Sequence, residues 1–242
     1  MAQSGGGHGI LGIDTSTADA AVAVTVGGEL VDERRAAPDD AGRPRHATRL
    51  LAEVEAAVEA AGGWRAIDVI AVGVGPGAFT GLRVGIATAR ALGQARGLAL
   101  APVGSLAALA RGIGEQAPEA PRLAAIDARR EQAFAALYGA GGEPLWGPVV
   151  ASPLELGERL SHGPAGVVAA GDGSLRFRGW LESAGVDVLP IANGAHRMAA
   201  RHVCALAALV EPGPPEEVKP VYLRRPDAEV WREQRDREHR GA

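Results

Sequence analysis

The feature that most restricts the fold of this chain is an internal repeat. In GILGIDTSTADAAVAVTVGGELVDERR an apolar strand ends at Ile13-Asp14 and a Thr/Ser-rich turn follows. An apolar, β-branched run then covers Ala20 to Val26, and Gly27-Gly28 turns the chain back through Glu29. RLAAIDARREQAFAALYGAGGEPLWGP repeats that order, with Ile126-Asp127, a polar turn, the run Ala133 to Tyr138, and Gly141-Gly142-Glu143. Asp14 precedes Glu29 by 15 residues and Asp127 precedes Glu143 by 16. Matched β-meanders predict two halves built alike, the alternative being two unrelated meanders of similar pattern.

Helical segments separate the meanders. Arg45 to Ala61 carries apolar residues at Leu50, Leu51, Val54, Ala57, Val58 and Ala61, with Glu53, Glu55 and Glu59 opposite. A buried strand over Ile67 to Val74 feeds the glycine-rich block, and a helix follows from Thr80 to Gly97. Ser105 is placed to cap a helix from Leu106 to Gly112. The second half predicts helices over Pro153–Leu160, Leu175–Ala184 and His196–Val210, and strands over Gly166–Ala170 and Val186–Pro190. EPGPPEEVKP reads as a helix-free connector. The expected layout is a disordered leader over 1–9, α/β subdomains over 10–102 and 103–212, and an extension with a charged tail over 213–242. Each subdomain is a mixed sheet with helices, and a cleft lies between the two.

Three places in that cleft suit a nucleotide. Asp14, Thr15 and Ser16 form a strand-end carboxylate followed by hydroxyls, which can orient a metal and face phosphate oxygens. Asp127 is the matching carboxylate, but its turn continues Ala128-Arg129-Arg130 with no hydroxyl. Gly171 and Gly173 flank Asp172 in a turn that lets a base approach the backbone. The block GVGPGAFTGLRVG is not a Walker loop, because Gly77 and Gly81 are one residue too close and Leu82 stands where lysine belongs. Nor is it a dinucleotide fingerprint, whose third glycine falls on Thr80. Gly81, Gly85, Ala89 and Gly93 instead recur every four residues and make a bare stripe along one helix face. Glycine in a helix interior costs about 1 kcal/mol against alanine, so the stripe requires a close neighbour, from the same domain or from a partner protein. Leu82 and Ile86 flank it.

Other chemistries lack their residues. His46 has Leu50 at i+4, so no metal pair forms there, and no His/Asp/Glu set has zinc or iron spacing. No G-x-S-x-G elbow occurs. The single cysteine, Cys204, rules out an internal disulfide and reads as a small buried hydrophobe. A net charge of −4 gives no general attraction to nucleic acid. With neither a signal-peptide pattern nor an apolar run of spanning length, the expectation is a cytoplasmic protein that does not enter a membrane.

Ile13-Asp14-Thr15-Ser16, GPGAFTGLRVG from Gly75 to Gly85, Asp127-Ala128-Arg129-Arg130 and Tyr222-Leu223-Arg224, in this order and spacing from about Ile10 to Asp227, resemble the TsaB (YeaZ) family. That resemblance implies a two-domain actin/Hsp70/sugar-kinase-like (ASKHA) α/β fold with duplicated ribonuclease-H-like sheets. It implies a subunit that is not itself catalytic and that partners and activates the paralogous transferase TsaD. The transferase threonylcarbamoylates N6 of the adenosine beside the anticodon in tRNAs reading ANN codons. An ATPase, TsaE, joins the complex, tRNA is met through it, and the isolated chain is expected as a homodimer. The family's partner surface is a pair of N-terminal-domain helices, which maps here onto His46, Leu50, Leu51, Val54, Val58, Gly81, Leu82, Gly85, Ile86, Ala89 and Gly93. The resemblance requires no cofactor of this chain and leaves room for ATP or ADP at the partner boundary. Ser16, where active kinases of this fold carry glycine, and Arg129 both count against hydrolysis. Two rival readings are a stand-alone ATP-dependent kinase, which predicts turnover without a partner, and a metallopeptidase, which needs a metal site.

Overall fold

A computed structural model describes residues 8–224. The repeat is realised as two five-stranded sheets of one topology. In the first half, β1 (Gly9–Asp14), β2 (Ala20–Val26) and β3 (Glu29–Ala36) form the meander and α1 (His46–Ala60) follows. Then come β4 (Val69–Gly75), α2 (Phe79–Arg96), β5 (Ala99–Gly104) and α3 (Ser105–Gln116). The second half runs β6 (Arg122–Asp127), β7 (Ala133–Tyr138), β8 (Pro144–Ala151), α4 (Pro153–Leu160), β9 (Val168–Ala170), α5 (Asp172–Arg176), α6 (Arg178–Ser183), β10 (Asp187–Val188) and α7 (Ala200–Ala207). Strand order is β3-β2-β1-β4-β5 in one sheet and β8-β7-β6-β9-β10 in the other. The meander strands pair antiparallel, whereas β4 joins β1 and β9 joins β6 in parallel. This is the duplicated, ribonuclease-H-like ASKHA arrangement.

Strand alternation sorts the side chains into three cores. In the first sheet Leu11, Ile13, Val22, Val24, Ile70 and Val72 point to one face, where Leu50, Val54 and Val58 of α1 and Ile86 and Ala89 of α2 cover them. Ile10, Ala21, Ala23, Val69 and Ala71 point to the other face and join a core that also contains Ala124, Ile126, Phe134 and Ala136 of the second sheet. That shared core is filled by α3 and α7, so the layers run helices, sheet, α3 with α7, sheet, helices. Each half's last helix crosses over: α7 packs on β1 and β2, while α3 packs on β6. Both helices thereby join the core that the two sheets share. The many alanines of the shared layer let helix and strand backbones approach closely, which suits a chain rich in small residues and poor in aromatics.

Several boundaries differ from expectation for identifiable reasons. Gly9 already belongs to β1, while the first seven residues and the charged tail lie outside the described part. Ser105 does not cap α3; Gly104 occupies that position, and the Ser105 hydroxyl turns to Asp14. The helix expected over Leu175–Ala184 is two short helices that meet at buried Phe177. The one expected from His196 starts at Ala200, because His196 sits in a 3₁₀ turn and hydrogen-bonds to Gly171 and Leu189. The connector is not helix-free, since Pro215–Glu217 forms a 3₁₀ turn. Helix α4 falls where the pattern put it, started by a capping box between Ser152 and Glu155. Among the described residues, no helix is long and apolar enough to cross a membrane.

Candidate functional site

The first carboxylate is at the end of β1, and the protein has closed over it. Asp14 is fully buried. Its Oδ1 accepts from the Ser16 amide at 2.7 Å and the Ser16 hydroxyl at 2.6 Å, and its Oδ2 accepts from the Ser105 hydroxyl at 2.7 Å. Ser105 Oγ in turn accepts from the Gly75 amide at 3.2 Å. Burial pushes the Asp14 carboxyl above its ordinary range, and these hydrogen bonds only partly offset it. A Cβ at Gly73 would fall on Asp14 Oδ2, so glycine there is what lets β4 pass the carboxylate. The glycine loop seals the turn from outside: the Ala78 amide donates to Ser16 O at 2.7 Å, and Gly77 lies directly against Ser16. The place where a phosphate would meet Thr15 and Ser16 is thus filled by the chain's own backbone. Thr15 Oγ1 donates to Gly81 O at 2.8 Å, also buried.

The second half-site is more open and held by ion pairs. Asp127 accepts from the Arg129 amide at 2.8 Å and pairs with Arg176 at 3.1 Å. Arg129, Arg130 and Glu131 all have left-handed φ, at 61°, 50° and 55°, a conformation non-glycine residues seldom adopt in succession. The Asp127 amide donates to Asp172 Oδ1 at 2.9 Å, which ties this turn to α5. Gly171 and Gly173 serve packing, contrary to the expectation that a base approaches there. Gly171 has φ 111°, a Cβ on it would overlap Ala125 O, and Gly173 faces the Ala125–Ile126 backbone. Gly171→Ala is expected to cost about 3 kcal/mol through overlap and strain, lowering Tm by about 6–12 °C in a thermal melt.

A cavity of about 380 Å³ remains between the halves, lined by Ser16, Gly77, Phe79, Asp127, Ala128 and Arg129 among others. The segment Val221–Arg224 crosses it. The Val221 amide donates to Val74 O at 2.8 Å on the first half, and the Arg224 guanidinium donates to Ala128 O at 3.0 Å on the second. The sequence motif Tyr222-Leu223-Arg224 thus proves to be part of the cleft wall.

The glycine stripe faces inward. A Cβ at Gly81 would strike Thr15 O and come within 3.0 Å of the His46 ring; one at Gly85 would strike Thr15 Oγ1. One at Gly93 would come 2.5 Å from Leu100 Cδ1 and 3.0 Å from Pro215. The close neighbours are β1's turn, α1 and β5 of the same chain. This corrects the partner surface inferred from the resemblance. His46, Leu50, Val54, Val58, Gly81, Leu82, Gly85, Ile86, Ala89 and Gly93 are all buried inside their own half, and only Leu51, 61% exposed, points outward. His46 Nε2 lies 3.1 Å from Ala18 O, and since a carbonyl only accepts, that nitrogen carries the proton. Among the described residues no group of three or more His, Cys, Asp or Glu is placed to hold a metal ion. What α1 and α2 present to solvent is a different set, which includes Ala47, Leu51, Ala52 and the charged Arg49, Glu55 and Glu59 on α1, and Arg83, Ala87, Ala91, Ala95 and Arg96 on α2. Both helices cover the same face of the first sheet, and on their outward side short side chains lie among charged ones.

Comparisons with known proteins agree with this architecture. The family model described as "TsaD: tRNA N6-adenosine threonylcarbamoyltransferase" matches residues 36–177. An uncharacterised protein of Mycobacterium tuberculosis is 34% identical over 221 residues, 90% of this chain and 93% of its own. The Escherichia coli tRNA threonylcarbamoyladenosine biosynthesis protein TsaB is 29% identical over 233 residues, 89% of this chain and 94% of its own. A Pseudomonas aeruginosa structure described as similar to peptidase YeaZ superposes with a TM-score of 0.71 at 31% identity, over 90% of this chain and 100% of that one. Sequence likeness over nearly the whole chain to these relatives, and a fold shared over 90% of it with the YeaZ-like structure, place this chain in the TsaB/YeaZ family.

Proposed function

We propose that this chain is a non-catalytic subunit in the biosynthesis of threonylcarbamoyladenosine on tRNA, where it binds and activates a TsaD-type transferase. The observation that carries this reading is the state of Asp14. An acid that is to orient metal or water must reach them, and both oxygens of this one are engaged by buried donors of its own fold. A stand-alone kinase would need that carboxylate at the cleft. The outward surface of α1 and α2 suits a partner's helices, because short side chains at Ala87 and Ala91 let a facing helix approach closely while Leu51 supplies an apolar knob. Two helices from each protein then form a four-helix bundle. The same surface pairs two copies of the chain when the transferase is absent, and a TsaE-type ATPase and tRNA join the heterodimer. No cofactor belongs to this subunit alone, and ATP or ADP sits at its boundary with the transferase.

The test is reconstitution. Mixing the chain with the transferase and ATPase of the same organism is expected to give a co-eluting complex that modifies tRNA when threonylcarbamoyl adenylate and ATP are supplied, with no phosphoryl transfer by the chain by itself. Ala91→Arg is expected to weaken association by about 2 kcal/mol or more, some thirtyfold in Kd, with an unchanged circular dichroism melt. ATP turnover by the isolated chain, or full affinity in that variant, would overturn the proposal.

A further inference from the structure

The segment over the cleft is built as a fastener. The Val221 amide is bonded to the last turn of β4 through Val74 O, and Val221 O faces Gly75. The Tyr222 ring stacks on Phe79, centroids 5.0 Å apart, and its hydroxyl accepts from Arg83 Nε at 3.3 Å, while the Arg83 guanidinium lies 4.0 Å over the Phe79 ring. Leu223 packs against the shared core. Arg224 holds Ala128 O and the Gln132 side chain of the second half. Four consecutive residues therefore join both lips of the cleft, while Val221 and Tyr222 remain about 40% exposed at its rim. A segment so placed, part-exposed and held by a few hydrogen bonds, one ring contact and the Leu223 side chain, costs less to release locally than the core costs to unfold.

We propose that residues 221–224 are a releasable latch over the interdomain cleft: shut as seen here, and on release exposing the wall formed by Ser16, Gly77, Ala128 and Asp127. The latch is also wired to the outer helix surface. Arg83, Ala87 and Ala91 recur every four residues along the exposed side of α2, so a protein covering that side also covers the arginine that holds Tyr222. Partner docking then sets the position of the latch. This last link rests on the partner surface proposed above; the latch itself does not.

The isolated chain provides the test. Ala128 is buried on the cavity wall, and Ala128→Cys places a thiol beneath the latch. The native thiol, Cys204, is an internal control, being buried with its pKa pushed up to about 12. In the Ala128→Cys background, Val221→Pro deletes the amide that bonds Val74, and Tyr222→Ala deletes the ring contact. Both are expected to raise the rate at which a maleimide labels the introduced thiol at least about tenfold, with Cys204 still protected. Unchanged labelling in both variants would overturn the latch, even if the transferase still binds. Labelling of both thiols together would overturn it as well, because the segment would then be part of the core. Arg224→Ala, which removes only the far-side contact, is expected to give an intermediate rate. Adding the transferase is expected to shift the rate in the latched chain and not in Tyr222→Ala.

Discussion

Gly85→Leu is expected to unfold the first half of this protein, whether or not a partner is present. The Cβ alone would collide with Thr15 Oγ1, whose proton is committed to Gly81 O in a buried hydrogen bond. Thr15 cannot retreat, because the next residue, Ser16, is fixed to Asp14 through both its amide and its hydroxyl. Gly85→Ala is expected to cost about 2–3 kcal/mol by overpacking, and Gly85→Leu more than about 4 kcal/mol, a large share of the stability of an ordinary domain. Urea denaturation followed by circular dichroism measures both. The outcome also separates two roles for the stripe: a partner groove would leave the isolated variant folded and merely unable to associate. A stable Gly85→Leu monomer would contradict the packing described here.

The second large effect concerns Asp14. Replacing it with alanine strands the Ser16 amide and two hydroxyls in a buried site, each at about 1–3 kcal/mol, for an expected loss of at least about 3 kcal/mol. Asp14→Asn keeps an acceptor for Ser16 and presents a donor to Ser105, so it is expected to stay folded. The pH dependence follows from the direction of the shift. The folded-state pKa is raised, so the stabilising contribution of the acid is fully present below its ordinary range near 3.8 and is lost as pH rises through the raised value. Asparagine does not titrate. The stability of Asp14→Asn relative to the wild type is therefore expected to increase from pH 4 to pH 7, read as the difference in urea midpoints. A difference that stays flat, or that moves toward the wild type, would mean the carboxyl is not disfavoured in its charged form.

The duplicated fold could be read from the chain because it rests on local patterns. Ile-Asp, a polar turn, an apolar run and a Gly-Gly turn are all short-range, and each copy produced three strands with the same partners. Helix α4 was equally legible, since its cap and its box are contiguous. The direction of the glycine stripe was not. Spacing shows that something must approach Gly81, Gly85 and Gly93, but the groups that do so are Thr15 and Leu100, on β1's turn and on β5, brought in by sheet pairing. Ser105 illustrates the same limit: its position before a helical pattern suggested a cap, whereas its hydroxyl is claimed by Asp14, 91 residues away. The strand-end carboxylates Asp14 and Asp127 could be located in the sequence, but the closure over Asp14 could not, because its burial depends on where the glycine loop lands. The role of Val221–Arg224 was visible only as a motif without a place.

The crossing of α3 and α7 has a consequence for synthesis on the ribosome. The first sheet leaves the exit tunnel with one face, including Ile10, Ala21, Ala23, Val69 and Ala71, still waiting for a helix that is translated some hundred residues later. Until α7 arrives that face is a sticky apolar surface on a nascent chain, so truncation before residue 200 should yield material that chaperones retain and not a smaller functional domain.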